Sequence, residues 1–240
     1  MKWTDEKIDT LVRMYRAGER RRTMMVALGA SYKAIDSRIW LLQREGVLTG
    51  EPVEAWWIAD DIKIGFLDIE TSNLKANAGE MLCWAIKVKG EEQIRYDLIT
   101  QKEMQDRSYD RRIVGSLIEA MQDLDAVVTY WGKRFDAPFA RTRAVMLGLP
   151  FPKYGDLWHW DAFFQARKLF LPHRKSLDAM TTMAGIEGKT HLDMQIWFHA
   201  RHGHRAELEY VMEHNLYDVL ILEEFFQVLE PYAKWTRTSI

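Results

Sequence analysis

Phe66-Leu67-Asp68-Ile69-Glu70-Thr71 continues an apolar run that opens at Ile62, and the pattern predicts a strand over 62–69. Strand side chains alternate between faces, so Asp68 and Glu70 point the same way, roughly 6.5–7 Å apart along the chain. Ile64 and Phe66 precede them on that face, which is otherwise apolar. Two carboxylates side by side repel each other and are costly unless paired. Hard oxygen donors in that arrangement suit magnesium or manganese. Taken alone, the pair is as readily an acidic strand end exposed to water.

Downstream, strands are predicted at 80–89 and 92–99, a helix at 110–122, a strand at 125–131 and a helix at 136–147. From 156 the pattern reads as mostly helical and ends in a long helix near 205–230. This order predicts an α/β domain with a mixed sheet flanked by helices. In Val127-Val128-Thr129-Tyr130-Trp131-Gly132-Lys133-Arg134-Phe135-Asp136 a β-branched strand meets a glycine turn, and Asp136 falls in the first turn of the next helix. Its plainer role is a helix cap. In Tyr210-Val211-Met212-Glu213-His214-Asn215-Leu216-Tyr217-Asp218-Val219, His214 and Asp218 are four apart and share a helical face. An isolated pair of this kind is more often a solvated helix face.

Upstream, Thr49-Gly50-Glu51-Pro52 marks a boundary. It divides the chain into 1–48, a linker over 49–60 that carries Trp56 and Trp57, and a main domain over 61–240. Residues 1–48 hold ten Lys/Arg against six Asp/Glu, net +4, whereas the remainder holds 23 against 29. Thr4 precedes Asp5 and Glu6 as the start of a first helix, ended by Gly18. A second helix fits 22–28, and Ser31 caps a third that runs to Glu45. Three short helices with a glycine-bearing turn before the last are the layout of a helix-turn-helix unit. The block resembles Myb-like and related modules, including their early tryptophan, here Trp3.

Composition sets outer bounds. The 240 residues include 10 Trp, 9 Tyr and 10 Phe in a chain that is 48% hydrophobic, enough for a real core. The formal charge of −2 advertises no global polyanion field, so any nucleic-acid surface must be local. One cysteine, Cys83, excludes a disulfide framework and a cysteine-based zinc site. The charged start and the lack of an uncharged apolar run near the roughly 20 residues of a membrane span predict a soluble, cytoplasmic protein with no membrane partner.

Together the three acidic motifs are more specific than any one. FLDIET, TYWGKRFDAPFARTRA and YVMEHNLYDVLIL resemble the three exonuclease motifs of the DEDD superfamily, on the RNase H-like fold. The resemblance covers about residues 60–232 and extends to predicted 3′→5′ exonucleases and the proofreading domains of family-B DNA polymerases. Gly155-Asp156-Leu157, Ser176-Leu177, Gly185-Ile186 and Lys189 also match the family's layout. The resemblance implies that Asp68, Glu70, Asp136 and Asp218 hold two divalent cations, Mg2+ or Mn2+. It implies a 3′→5′ exonuclease that releases 5′-mononucleotides, with His214 as candidate general base.

Two departures stand out. Members carry a Tyr four residues before the last Asp or a His five before it; here His214 is four before and Glu213 five before. Asn215 matches the tyrosine form, so the register is that of the tyrosine subclass with a histidine placed in it. Trp131 stands where relatives often have Asn.

The implied partner is DNA, as a single-stranded 3′ end or a duplex, with RNA as the alternative polymer and a replication or repair protein as a further partner. An inactive nuclease fold serving a DNA-binding regulator is the alternative from another class. Lys133, Arg134, Arg174 and Lys175 are the phosphate-contacting candidates, with Arg141, Arg143, Arg167 and Lys168 behind them. Trp131, Trp158, Trp160 and Trp197 are stacking candidates, the middle two favoured by their polar neighbours. In the N-terminal block, Lys33 and Arg38 lie on the recognition helix, and Arg20-Arg21-Arg22 is placed to clamp phosphate.

Overall fold

The N-terminal helices form where the caps place them. In the computed structural model, which describes residues 3–49, 62–105, 108–186 and 193–233, Thr4 accepts the Lys7 N–H at the start of α1 (Asp5–Arg16). Gly29, at φ 60°, ends α2 (Arg21–Leu28) in the left-handed conformation that glycine adopts without strain. Ser31 caps α3 (Tyr32–Arg44) by accepting the Ala34 N–H. The three pack around Leu11, Met24, Leu28, Ile35, Ile39 and Leu42. Except for Thr49, the linker over 49–60 lies outside the described residues.

The rest is built on one five-stranded sheet. β1 (Ile64–Thr71) is central, and β2 (Met81–Val88) and β3 (Ile94–Leu98) extend it antiparallel on one side. On the other side β4 (Ala126–Thr129) and β5 (Trp158–Asp161) are parallel, giving the order β3-β2-β1-β4-β5. Between and after the strands lie α4 (Gln101–Gln105), α5 (Arg111–Gln122), α6 (Asp136–Leu147), α7 (Ala162–Leu169), α8 (Leu177–Met183), α9 (Met194–Ala200) and α10 (Arg205–Leu229). All eight residues of β2 are buried. α5 meets it through the Trp84 Nε1–H bond to the Ile113 carbonyl, and α10 packs on the sheet through Phe226, whose ring lies 5.4 Å from Phe66 and 5.1 Å from Trp160. The mixed sheet flanked by helices agrees with the α/β, RNase H-like expectation. β5 corrects it, because the segment after 156 does not begin helical. No helix among the described residues is long and apolar enough to cross a membrane.

Three arginines that the sequence offers as phosphate contacts are structural. Arg20 Nη2 donates to Asp125 Oδ2 at 2.8 Å, and Arg22 Nη1 donates to the Leu124 carbonyl at 3.0 Å. They dock the three-helix unit on the turn between α5 and β4, which feeds the N-terminal end of β4. Arg143 is buried with Asp110: Nε reaches Oδ2 at 2.8 Å, Nη2 reaches Oδ1 at 2.5 Å, and Nη1 donates to the Ala76 carbonyl. Asp110 also accepts the Met81 N–H at 2.8 Å, so this ion pair ties α6 to the starts of α5 and β2. Arg143→Ala leaves a buried carboxylate without its cation. Equilibrium urea unfolding is expected to show a loss of about 3–5 kcal/mol, and a loss below about 1 kcal/mol would mean the pair behaves like a surface contact.

Candidate metal centre and its cleft

The inward face of α10 is apolar at Leu208, Val211 and Met212 and again at Val219, Ile221, Leu222, Phe225 and Phe226. Between these stretches the same buried stripe carries His214, Asn215 and Asp218. A polar trio inside an apolar stripe is expensive unless it meets partners. The partners are on β1, where Asp68 and Glu70 are the two half-open positions in an otherwise buried strand. Asn215 Nδ2 donates to Asp68 Oδ2 at 2.6 Å. His214 Nε2 lies 3.5 Å from Asp218 Oδ2 and 4.0 Å from Glu70 Oε1. One donor atom each from Glu70, His214 and Asp218 falls within 4.8 Å of the others. Two carboxylates and an imidazole this close, with Asp68 alongside, form a donor set that fits a divalent cation, oxygen-rich enough for Mg2+ and tolerant of Mn2+.

Asp136 joins the strand from the other side. Its Oδ1 accepts the Ile69 N–H at 3.1 Å, three residues beyond the last β1–β4 pair, between the two strand acids. Burial pushes its carboxyl up to about 7, against the N–H bonds that favour the charged form. The cap position of α6 belongs to Phe135, so Asp136 is not held there as a helix cap. Asp136 is not one of the three residues whose donor atoms cluster. Cys83 sits opposite Glu70 in the β1–β2 register. Burial first, then the charges of Glu70 and Asp68, holds its thiol well above the usual value, so it stays neutral.

A cleft of about 620 Å³ opens beside the acids. Asp68 and Asp218 form one wall, and the rings of Tyr130, Trp131 and Phe163, with Lys175, Ser176 and Leu177, form the rest. The Tyr130 hydroxyl donates to the Lys175 carbonyl, and burial raises its pKa, so it stays a protonated donor. This bond fixes the end of β4 to the segment that enters α8.

Of the residues proposed from sequence to contact nucleic acid, Trp131 and Lys175 line the cleft, and Arg134 and Arg174 are exposed. Lys133 is half-buried, and burial lowers its pKa. On α3, Lys33 is exposed, whereas Arg38 is half-buried with its guanidinium 5.2 Å from the Trp3 ring centroid. Trp158 and Trp160, read as stacking candidates, are interior residues of β5, at 4% and 1% exposure. Trp197 packs against the core. Asn215 marks the motif's register in the sequence, but its bond to Asp68 is visible only in the structure. So is the role of Asp161, which accepts N–H bonds from Trp131, Lys133 and Phe163. The available signal was an aspartate directly before a helical run.

Residues 65–230 match the RNase_H_2 family of the RNase_H superfamily. Over 168 residues the chain is 27% identical to the uncharacterized protein YprB of Bacillus subtilis (strain 168), covering 65% of this chain and 39% of that protein. The family B DNA polymerase of the hyperthermophilic archaeon Pyrobaculum calidifontis shares the fold, with a TM-score of 0.59 and 17% identity, over 77% of this chain and 26% of the polymerase. The chain therefore spans well under half the length of either relative.

Proposed function

The chain belongs to the RNase H superfamily, and we propose that it is a metal-dependent 3′→5′ exonuclease that hydrolyses nucleic acid, DNA in the first place, to 5′-mononucleotides. The observation that supports this reading is the meeting of Asp68, Glu70, His214 and Asp218 beside a cleft that Asp68 and Asp218 border and that Tyr130, Trp131, Phe163 and Lys175 also line. An acidic set of this kind repels a phosphodiester unless cations intervene, so the residues themselves make cleavage cation-dependent.

Asp68, Glu70 and Asp218, with Asp136 at the Ile69 N–H between the two strand acids, would hold two divalent cations. Such ions supply Lewis-acid stabilisation of phosphoryl oxygens and a more acidic water. The chain's own groups do the remaining work. His214 Nε2, between Glu70 and Asp218, accepts the proton of the attacking water. Asn215 holds the Asp68 carboxylate in place through its 2.6 Å bond. Lys175, with Arg174 and Arg134 outside it, offsets the charge of the incoming backbone. Lys33 and Arg44 are exposed cations of α3 that the three-helix unit would offer to DNA, the Arg44 guanidinium 4.7 Å from the Trp40 ring centroid, whereas Arg20 and Arg22 are engaged at the docking turn.

A single strand labelled at its 3′ end, digested with Mg2+, with Mn2+ and with EDTA, tests the reading. The expected result is release of labelled mononucleotide with either cation and none in EDTA. A 5′-labelled copy should shorten stepwise, and a 3′-blocked copy should survive. Internal cuts in the blocked strand would point to an endonuclease. No cleavage of DNA or of a matched RNA would remove the enzyme reading altogether.

A further inference from the structure

Trp131 has φ 67°, the left-handed region that a bulky residue rarely adopts. The turn that holds it there is over-determined. The Asp161 side chain, in a residue only 1% exposed, accepts the Trp131 and Phe163 N–H groups on Oδ1, both at 3.0 Å, and the Lys133 N–H on Oδ2 at 2.9 Å. Gly132 lies so close to Thr129 that a Cβ there would come within 2.4 Å of Oγ1. Thr129 in turn is bonded to the buried His159 at 2.7 Å. Four residues of β4, β5 and the turn thus fix the backbone that presents Trp131, and the side chain it presents is not buried. The indole stands 48% exposed in the cleft that Asp68 and Asp218 border. Tyr130 and Phe163 beside it, rings 5.7 Å apart and edge-on, make the rest of that wall aromatic.

We propose that Trp131 is a stacking platform for the 3′-terminal base and that Asp161 is the positioning residue that holds it, so that the preferred substrate is a strand whose last nucleotide carries a base. This rests on the exonuclease reading. The physical reason is that an indole face accepts any base without reading its edge, whereas a strained turn is retained only where the surrounding contacts enforce it.

The test compares single strands that end in an ordinary nucleotide with strands that end in an abasic one. Binding is measured by anisotropy in Ca2+, and kcat/KM is measured in Mg2+. The unmodified chain should favour the base-bearing end by about 5- to 150-fold in binding. Trp131→Ala should bring that ratio close to one, and Trp131→Phe should keep most of it. Asp161→Ala should also flatten the ratio. Asp161→Asn, which keeps an Oδ1 acceptor for Trp131 and Phe163 but sets an amide N–H2 against the Lys133 N–H, should restore the ratio in part. Equal binding of both ends by the unmodified chain, or a ratio that survives Trp131→Ala, overturns the platform. A ratio that survives Asp161→Ala overturns the positioning role. Discrimination in binding with no cleavage in Mg2+ supports the platform while refuting the nuclease reading; cleavage with no discrimination does the reverse.

Discussion

Asp218→Asn is expected to lower cation-dependent cleavage by about 10³-fold or more while leaving the fold intact. The substitution keeps the shape of a side chain that is nearly buried in α10 and removes one negative charge. That charge is 3.5 Å from the His214 imidazole and belongs to the group formed with Glu70. An amide oxygen is a weaker ligand for a hard cation than a carboxylate oxygen, so the half-saturating Mg2+ concentration should rise as the rate falls. Stability should move the other way or not at all. Glu70, Asp68 and Asp218 repel one another when no cation is present, and removing one charge relieves that repulsion. The thermal midpoint in EDTA is therefore expected to be unchanged or higher. A rate within tenfold of the unmodified chain would sink the assignment of Asp218, whatever the melt shows.

The same trade of stability for charge explains which parts of the site were legible in the sequence. Strand alternation places Asp68 and Glu70 together on an otherwise apolar face, but the pair alone is as readily a solvated strand end. His214 and Asp218 share a helical face, which alone favours a solvated pair, so both pairs, like Asp136, are singled out only by the resemblance of the three motifs together. Both signals are local violations of a pattern that the rest of the element obeys, and such violations gather at functional sites. β5 left no such signal. Trp158-His159-Trp160-Asp161 is four residues long, alternates aromatic with polar and runs straight into α7, so the helical pattern after it absorbs it. The polar neighbours His159 and Asp161 make its two tryptophans stacking candidates by sequence. In the sheet, the imidazole is buried against Thr129, its pKa pushed down to about 3 by burial, and the carboxylate is spent on backbone N–H groups. Arg143 and Arg20 were misread for a related reason. A cation's role depends on whether an acid far along the chain reaches it, here Asp110 and Asp125, and no spacing rule reports that.

His214→Ala is expected to slow turnover by roughly 10²–10⁴ if Nε2 is the proton acceptor. The size of the loss alone does not separate that role from cation binding, because the imidazole lies within the same 4.8 Å group as Glu70 and Asp218. The two roles differ in what else changes. A lost proton acceptor lowers kcat with KM and the half-saturating cation concentration nearly fixed, and it does so equally in Mg2+ and Mn2+. A lost nitrogen ligand raises the cation requirement, and more for Mn2+ than for Mg2+, because imidazole contributes less to binding the harder ion. His214→Tyr sharpens the contrast. A phenol placed four residues before Asp218 can still orient a water through its oxygen but replaces the nitrogen donor. Recovery of most of the rate by His214→Tyr, with one common loss in both cations for His214→Ala, supports the proton role. A loss below threefold in His214→Ala would make the imidazole a brace between Glu70 and Asp218 and leave the attacking water to be activated by the acids and their cations alone.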